Sequence, residues 1–441
     1  DFFTRHYLTV KTGDIPKVDD VYEAFKQYFR LSRQSVESAV ADIHQYAIYY
    51  CAITLGVEKN KTLKEIFQNI RELRMDVAYP LMLELYDDYQ NNILQLNDFI
   101  EALRLMESYV FRRAVCAIPA NSMNNTFAGL SKSFNKQRYL ESFKAAFMLL
   151  PSYRRFPTDE EFKREIQIRD LYNFRSRSYW LKKLENHNHK EPIPIDGVTI
   201  EHIMPQCDNN AEKVPEIWRQ SLGNEWQRVW ETWRHTLGNL TLTGYNSEYS
   251  NKSFTEKRDM EFGFKYSHLR LNDGLSALDS WNESTILSRA KNMAEQAIDV
   301  WPSVNLPSEI LDTYKPQNEE NVVYGFEDHS HLAKEHVNTL FEAFRKAVLS
   351  LDPCVTEVFL KLYIAYKAEV NFVDVVPQAK RLRLSLNMPF AEINDPHGLC
   401  KDVSNVGRWG NGDVEVGFEN LSDLPQVMAL VTQAFERQMD N

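Results

Sequence analysis

The stretch Thr199-Ile-Glu-His-Ile-Met-Pro-Gln206 decides how this chain is read. Residues 198–204 have the composition of a short strand, and a proline follows. The strand ends with an acidic residue and a histidine side by side, Glu201 and His202. Neighbours on a strand point to opposite faces. At the strand's end a turn is expected to bring both into one site, the carboxylate on a metal and the imidazole on a water.

Working outward, a second strand is predicted over Gly238-Asn-Leu-Thr-Leu-Thr-Gly244, where leucines alternate with threonines. From Asn246 the chain turns polar and is read as helical through Phe254, Lys257, Arg258 and Phe262. Between the strands, residues 218–235 carry Trp218, Trp226, Trp230 and Trp233, the last three at helical spacing. Tryptophans can stack on bases, but a packed helix is the preferred reading. His235, near Asn239, is likewise read as packing, with a share in the site as the alternative.

These residues suit phosphodiester hydrolysis. A histidine supplies a base for water near neutral pH. A hard divalent ion on oxygen ligands neutralises charge at the phosphate and the leaving oxygen. Glu201 offers a charged oxygen and Asn246 a neutral amide oxygen, which leaves positions open for water and phosphate.

Taken together, the Glu-His-Ile-x-Pro string, Leu237-Gly-Asn-Leu-Thr-Leu242, and Asn246 followed by Asn251-Lys-Ser-Phe254 and Lys257 resemble the HNH nuclease domain of GmrSD-type restriction proteins. These are modification-dependent (type IV) and related anti-phage nucleases with a ββα-metal fold. The Glu-His-Ile-x-Pro-Gln string is also similar to that of the HNH domain of CRISPR effector nucleases. The resemblance implies His202 as general base, and Asn239 as the residue that braces the loop and orients the base. It implies Glu201 as metal ligand, where many relatives have Asp, and Asn246 or Asn251 as the helix-side ligand. Mg²⁺ or Mn²⁺ would be the cofactor. Lys252 and Lys257 would face the DNA backbone, and Arg258 is a further candidate phosphate contact. His202 and Asn239 lie 37 residues apart (239 − 202), long for a bare hairpin, so the tryptophan-rich segment is read as an insertion.

The resemblance extends over residues 1–305. In relatives a nucleotide-dependent sensor of DNA modification precedes the segment that begins Asp1-Phe-Phe-Thr-Arg-His. An NTP-dependent domain or subunit is therefore an expected partner outside this chain, which itself shows no P-loop. One such site cuts one strand, so a double-strand break implies a homodimer or repeated nicking. The implied function is cleavage of DNA in bacterial defence against phage or modified DNA. The alternative is a catalytically inactive DNA-binding or partner-docking module.

The bulk properties agree with a soluble multidomain chain. Its 441 residues exceed one ordinary domain. No run approaches about 18 consecutive apolar residues, so no membrane span is expected, and no signal peptide opens the chain. The net charge of −11 neither requires nor excludes DNA, because binding depends on local cationic patches. Five scattered cysteines with no C-x-x-C pair argue against a disulfide framework and a zinc site, and for a reducing cytoplasm.

The fold expected is mainly α, with a small ββα-metal (HNH) nuclease domain and a C-terminal α+β domain. Residues 1–190 read as a helical scaffold. Within it, Phe99, Leu103, Met106 and Val110 mark a helix over 97–118 capped by Asn97, and Thr158 with Glu161 suggests a capping box. Residues 191–305 would hold the nuclease domain and its closing helix, and 306–322 a linker. The α+β domain spans 323–441, with strands at 362–366, 372–376, 381–386 and 413–418 and helices at 336–351 and 425–438. It is read as a binding or interface module. His329, His331 and His336 cluster without zinc spacing and are read as a solvated helix start.

Overall fold

The computed structural model describes the chain apart from residues 1, 121, 131–132, 151–153, 188–196, 316–323, 369, 405–411 and 441. Of the linker predicted at 306–322, residues 316–322 lie outside the described residues, and Ser308–Asp312 forms a short helix. The chain divides into two compact units. The first comprises residues 1–118, 127–148 and 156–306; the second comprises 119–126, 149–155 and 307–441. The protein is mainly helical, with a small β-sheet domain at the C-terminus. No described helix is long and apolar enough to cross a membrane.

The first unit is built on helices. Leu96–Val115 runs through its middle, with Phe99, Leu103, Met106 and Tyr109 buried at helical spacing. It begins one residue earlier than predicted, and Asn97 lies in its first turn; the N-cap is Gln95 and makes no side-chain cap. Thr158 does cap its helix, accepting a bond from the Glu161 amide.

Two strands cross this helical unit. β1 (Thr199–His202) pairs antiparallel with β2 (Leu240–Thr243), setting Ile200 opposite Leu242, Glu201 opposite Thr241 and His202 opposite Leu240. The ribbon lies between two apolar clusters. Leu240 and Leu242 join Phe111, Phe162, Tyr179, Trp180 and Trp301. Ile203 and Met204 join Trp218, Trp230, Tyr249, Phe254, Phe264 and Trp281. Residues on either side of 190 therefore share one core.

The tryptophan-rich segment is two helices, Glu216–Leu222 and Trp226–Trp233, separated at Gly223, whose φ of 80° ends the first. Trp218 and Trp230 are buried. Trp230 Nε1 donates to Pro205 O at 2.8 Å and Trp218 Nε1 to Lys252 O at 3.1 Å, so both indoles are committed to packing. The predicted helix from Asn246 is likewise two, Asn246–Tyr249 and Phe254–Asp259. Ser250, at φ 42°, breaks the first, and a Ser253/Glu256 capping box opens the second.

The second unit carries a six-stranded antiparallel sheet: β3 (Thr356–Phe359), β4 (Ile364–Lys367), β5 (Asn371–Pro377), β6 (Leu382–Leu386), β7 (Cys400–Asp402) and β8 (Val414–Phe418), in the order β3-β4-β5-β6-β8-β7. The helices Glu335–Leu349 and Leu424–Asp440 pack beside it. The two strands that sequence patterning missed are the edges, four and three residues long, too short to show a period. His329 is buried against the Phe359 ring, not solvated.

Candidate active site

The end of β1 is gripped from both sides by asparagine side chains. Asn239, fully buried, follows a tight turn over Leu237–Asn239. Its Oδ1 accepts from the Met204 amide (2.7 Å) and from Trp281 Nε1 (3.1 Å). Its Nδ2 donates to Met204 O (2.8 Å) and Arg234 O (2.9 Å). On the other side, Asn246 Nδ2 donates to Ile200 O (2.7 Å) and Thr199 Oγ1 (2.9 Å). Both hydrogens of that amide are thus used, and Oδ1 is left without a partner among the described residues. Glu201 and His202 sit between the two grips.

Gly238 is required beside Asn239: a Cβ there would lie 2.2 Å from Ile286 O. Arg289 secures the same turn, donating to Gly238 O and Leu240 O (2.9 Å each) and to Leu271 O (2.7 Å).

Glu201 and His202 leave β1 on opposite faces, as the register dictates, and no turn brings them together. Strand geometry persists through His202, since Ile203 N still bonds Asn239 O at 3.0 Å. On one face, Glu201 is 4% exposed and Oε1 meets Lys257 Nζ at 2.5 Å. That ammonium also donates to His202 O (2.9 Å) and Ile203 O (3.2 Å), so all three hydrogens are satisfied. Burial raises the Glu201 carboxyl to about 7, opposed by Lys257; burial likewise lowers the Lys257 ammonium, opposed by Glu201.

On the other face, His202 is 5% exposed. Its Nε2 lies 3.0 Å from His235 Nδ1, and its ring meets Tyr172 edge-on at 4.4 Å. His235 Nε2 lies 3.0 Å from Asn209 Oδ1, and Tyr172 stacks on the His235 ring at 5.2 Å. Burial, with the neighbouring His235, Lys257, Arg234 and Arg177, lowers the His202 imidazole to about 3. His202 is therefore a neutral ring and, while so buried, a weak base.

The remaining predicted residues are placed as follows. Asn251 and Lys252 are exposed, with Lys252 Nζ donating to Glu248 O at 2.6 Å. Lys257, expected to face DNA, is instead buried. It follows Phe254 by three helical positions and shares its inward face, where the Glu201 carboxylate supplies its counter-charge. Arg258 is half-buried and engaged by Leu278 O and Asp259 (2.6 Å each). Lys252 thus remains the lysine of this set that is open to solvent. No group of three or more His, Cys, Asp or Glu poised to hold a metal occurs among the described residues. The sequence reading missed Tyr172 and Asn209, which lie 30 residues before and 7 after His202 and have no local pattern tying them to it.

Residues 156–296, which include both faces of this site, match the family model of the GmrSD restriction endonuclease C-terminal domain. The chain carries a GmrSD-type C-terminal part. That relates it to restriction endonucleases. Residues 327–438 match a domain of unknown function, DUF5655. An uncharacterized protein of Haemophilus influenzae is 40% identical over 114 residues, 26% of this chain and 38% of that relative. The GmrSD-type segment begins at the helix Asp159–Ile168 and ends within the helix Glu283–Val300, so the family boundary includes the helices that cover the ribbon as well as the ribbon itself.

Proposed function

We propose that the β1–β2 ribbon with the helices Asn246–Tyr249 and Phe254–Asp259 is a ββα-metal site of HNH type that hydrolyses DNA phosphodiester bonds. The observation that carries this reading is the double grip of Asn239 and Asn246 on the strand that ends in Glu201-His202. Two side chains fix the backbone that carries one acid and one base, so that each is held rigidly on its own face of the strand.

A divalent ion fits the donor set. Glu201 supplies a carboxylate whose buried side already faces a cation, the Lys257 ammonium. Asn246 supplies an amide oxygen whose orientation is fixed by its two donated bonds. Two oxygen donors leave most positions of a Mg²⁺ or Mn²⁺ ion to water and phosphate. Asn251, exposed in the turn after Ser250, is the alternative helix-side donor. The ion, when bound, neutralises charge on the phosphate and the departing oxygen. His202, neutral and held by His235, takes the proton of the attacking water. Asn239 keeps the strand end and the turn at Arg234 in register, and so holds His202 in place. Lys252, and Arg258 if released from Asp259, contact backbone phosphate, which confers no base specificity. The whole protein is then a nuclease of bacterial defence against phage or modified DNA. An NTP-dependent sensor partner and a homodimer for double-strand cutting complete the proposal.

A second reading is favoured by one observation: Glu201 and His202 are each about 5% exposed and each already engaged by a protein partner. On that reading the site is inactive and the chain is a DNA-binding or docking module. Nicking of supercoiled plasmid with Mg²⁺ or Mn²⁺, beside His202→Ala, tests the nuclease. Metal-dependent nicking lost in the variant supports it; equal nicking by both removes His202 from the mechanism. Calorimetry with Mn²⁺ separates the second reading, since an inactive relic binds the ion no better than Glu201→Ala.

A further inference from the structure

We propose that Arg177 and Arg234 bind the phosphate backbone of DNA beside His202, each guanidinium held ready by an aromatic ring. The proposal rests on the reading of the substrate as DNA and adds to it the face of β1 along which the strand lies.

Charge pairing sets these two arginines apart. The chain has 62 acids against 51 lysines and arginines, so carboxylate partners are in excess. In the same unit, Arg112 and Arg258 each meet one at 2.6 Å and Arg228 meets one at 2.8 Å. Arg177 and Arg234 meet none among the described residues. Arg177 is exposed and lies over the Tyr172 ring at 4.9 Å, and its guanidinium N–H groups have no acceptor among the described residues. Arg234 lies over the Trp230 ring at 4.4 Å. Its Nε donates to His235 Nε2 (3.2 Å) and lies 3.4 Å from Asn209 Oδ1, and its Nη1 donates to Glu231 O (3.0 Å). Its Nη2 has no acceptor among the described residues. A guanidinium over a ring is fixed in place while its N–H edge stays open, and that planar fork matches a phosphate.

Both arginines stand beside the His202 ring. Tyr172, the ring under Arg177, meets His202 edge-on, and Arg234 bonds His235, which in turn lies against His202. Both are near enough for their charge to act on the His202 imidazole. The nearby acids are already engaged. Asp170, whose charge reaches His235, accepts from Asn173 N (2.9 Å) and Nδ2 (2.7 Å), and Asp208 pairs with Lys213 at 2.8 Å. The Glu201 face offers a phosphate no such group, since Lys257 is buried with its three hydrogens spent. In a chain of net charge −11, a polyanion needs a local cationic site, and this pair supplies one. Contacts to phosphate fix the register of the strand and read no bases.

The test is the salt dependence of DNA binding. Fluorescence anisotropy of the full chain with a fluorescein-labelled DNA duplex, in EDTA so that no metal-dependent cutting intervenes, gives the affinity across a salt series. Each phosphate contact contributes about 0.9 to the slope of log K against log salt. Arg177→Gln and Arg234→Gln should each lower the slope by about 0.9, and the double variant by about 1.8. Against a reference at about 1 M salt, that is roughly an eightfold loss of affinity at about 0.1 M for each arginine. Arg177→Lys keeps the charge and should keep the slope. Arg164→Gln removes an exposed charge elsewhere in the unit and should match the wild type. A merely structural role would reduce the fraction of chain that binds and leave the slope alone. An unchanged slope in either glutamine variant, or an equal drop in Arg164→Gln, overturns the proposal, as does a wild-type chain that does not bind the duplex. Plasmid nicking decides the nuclease reading separately. A chain that binds with these slopes and never nicks keeps the two arginine contacts and loses the nuclease. Nicking by the double variant with the wild-type KM overturns the contacts and leaves the nuclease standing.

Discussion

Replacing Lys257 with methionine removes the counter-charge of a carboxylate that has almost no access to water. Glu201 is 4% exposed and Lys257 is fully buried, so solvent cannot compensate the loss. Breaking a buried pair by deleting one partner costs about 3–5 kcal/mol. The carboxyl carries a burial penalty even before that loss. Even with Lys257 present, burial raises it from 4.5 to about 7, which at 1.36 kcal/mol per pH unit is about 3 kcal/mol. Because the folded-state value lies above the unfolded one, this acid destabilises the fold increasingly as pH rises from 4.5 to 7, and fully above that. Without Lys257 the carboxyl rises further, and the penalty persists to higher pH. Urea denaturation at pH 8, followed by tryptophan fluorescence, should therefore show Lys257→Met losing about 3–5 kcal/mol. Seven of the eight tryptophans lie in the first unit, which makes this probe report on the unit concerned. Adding Glu201→Gln should restore most of the loss, since a neutral pair leaves no buried charge. Single losses under about 1 kcal/mol, or losses that simply add in the double variant, would refute the buried coupling.

Other expectations are independent of that pair. Asn239→Ala orphans the Met204 amide, the Trp281 indole and two carbonyls, and at about 1–3 kcal/mol for each buried group left unsatisfied it should cost at least 3 kcal/mol in the same assay. A cost below 1 kcal/mol would mean water replaces those bonds. Gly238→Ala forces a Cβ against the Ile286 carbonyl, and overpacking of about 1–3 kcal/mol should lower the urea midpoint; an unchanged midpoint would show the turn has room. His6, buried beside Tyr79, is lowered by burial from 6.5 to about 4. A folded value below the unfolded one means that stability is full above pH 6.5 and falls by about 3 kcal/mol as pH drops to 4. His6→Gln should flatten that slope in a pH series of denaturation midpoints.

Much of the site was legible because it is local. The alternation of residues 199–202 and 240–243 encodes two strands, and the Glu-His pair, Asn239 and Asn246 stand at their ends as the pattern implied. The apolar period of residues 99–110 likewise encodes a helix, displaced by one residue from its predicted start. The misread elements have equally specific causes. The tryptophan-rich helix is two because Gly223 adopts φ 80°, and the helix after Asn246 is two because Ser250 adopts φ 42°. A glycine signals such a break by its residue type, a serine does not.

The sequence by itself determined most of the longer elements and which residues sit at the strand end, because hydrophobic period and capping act over a few neighbouring residues. Tertiary structure alone decided what those residues touch. Lys257 carries the same charge whether it faces DNA or Glu201; the inward face of its helix, packed through Phe254 against Trp281, put it 2.5 Å from a carboxylate 56 residues away. His235, between Arg234 and Thr236, reads as a packing residue until the folded chain brings it to His202 across 33 residues. Such pairings depend on how helices and strand pack across a shared core, and no local pattern records that distance.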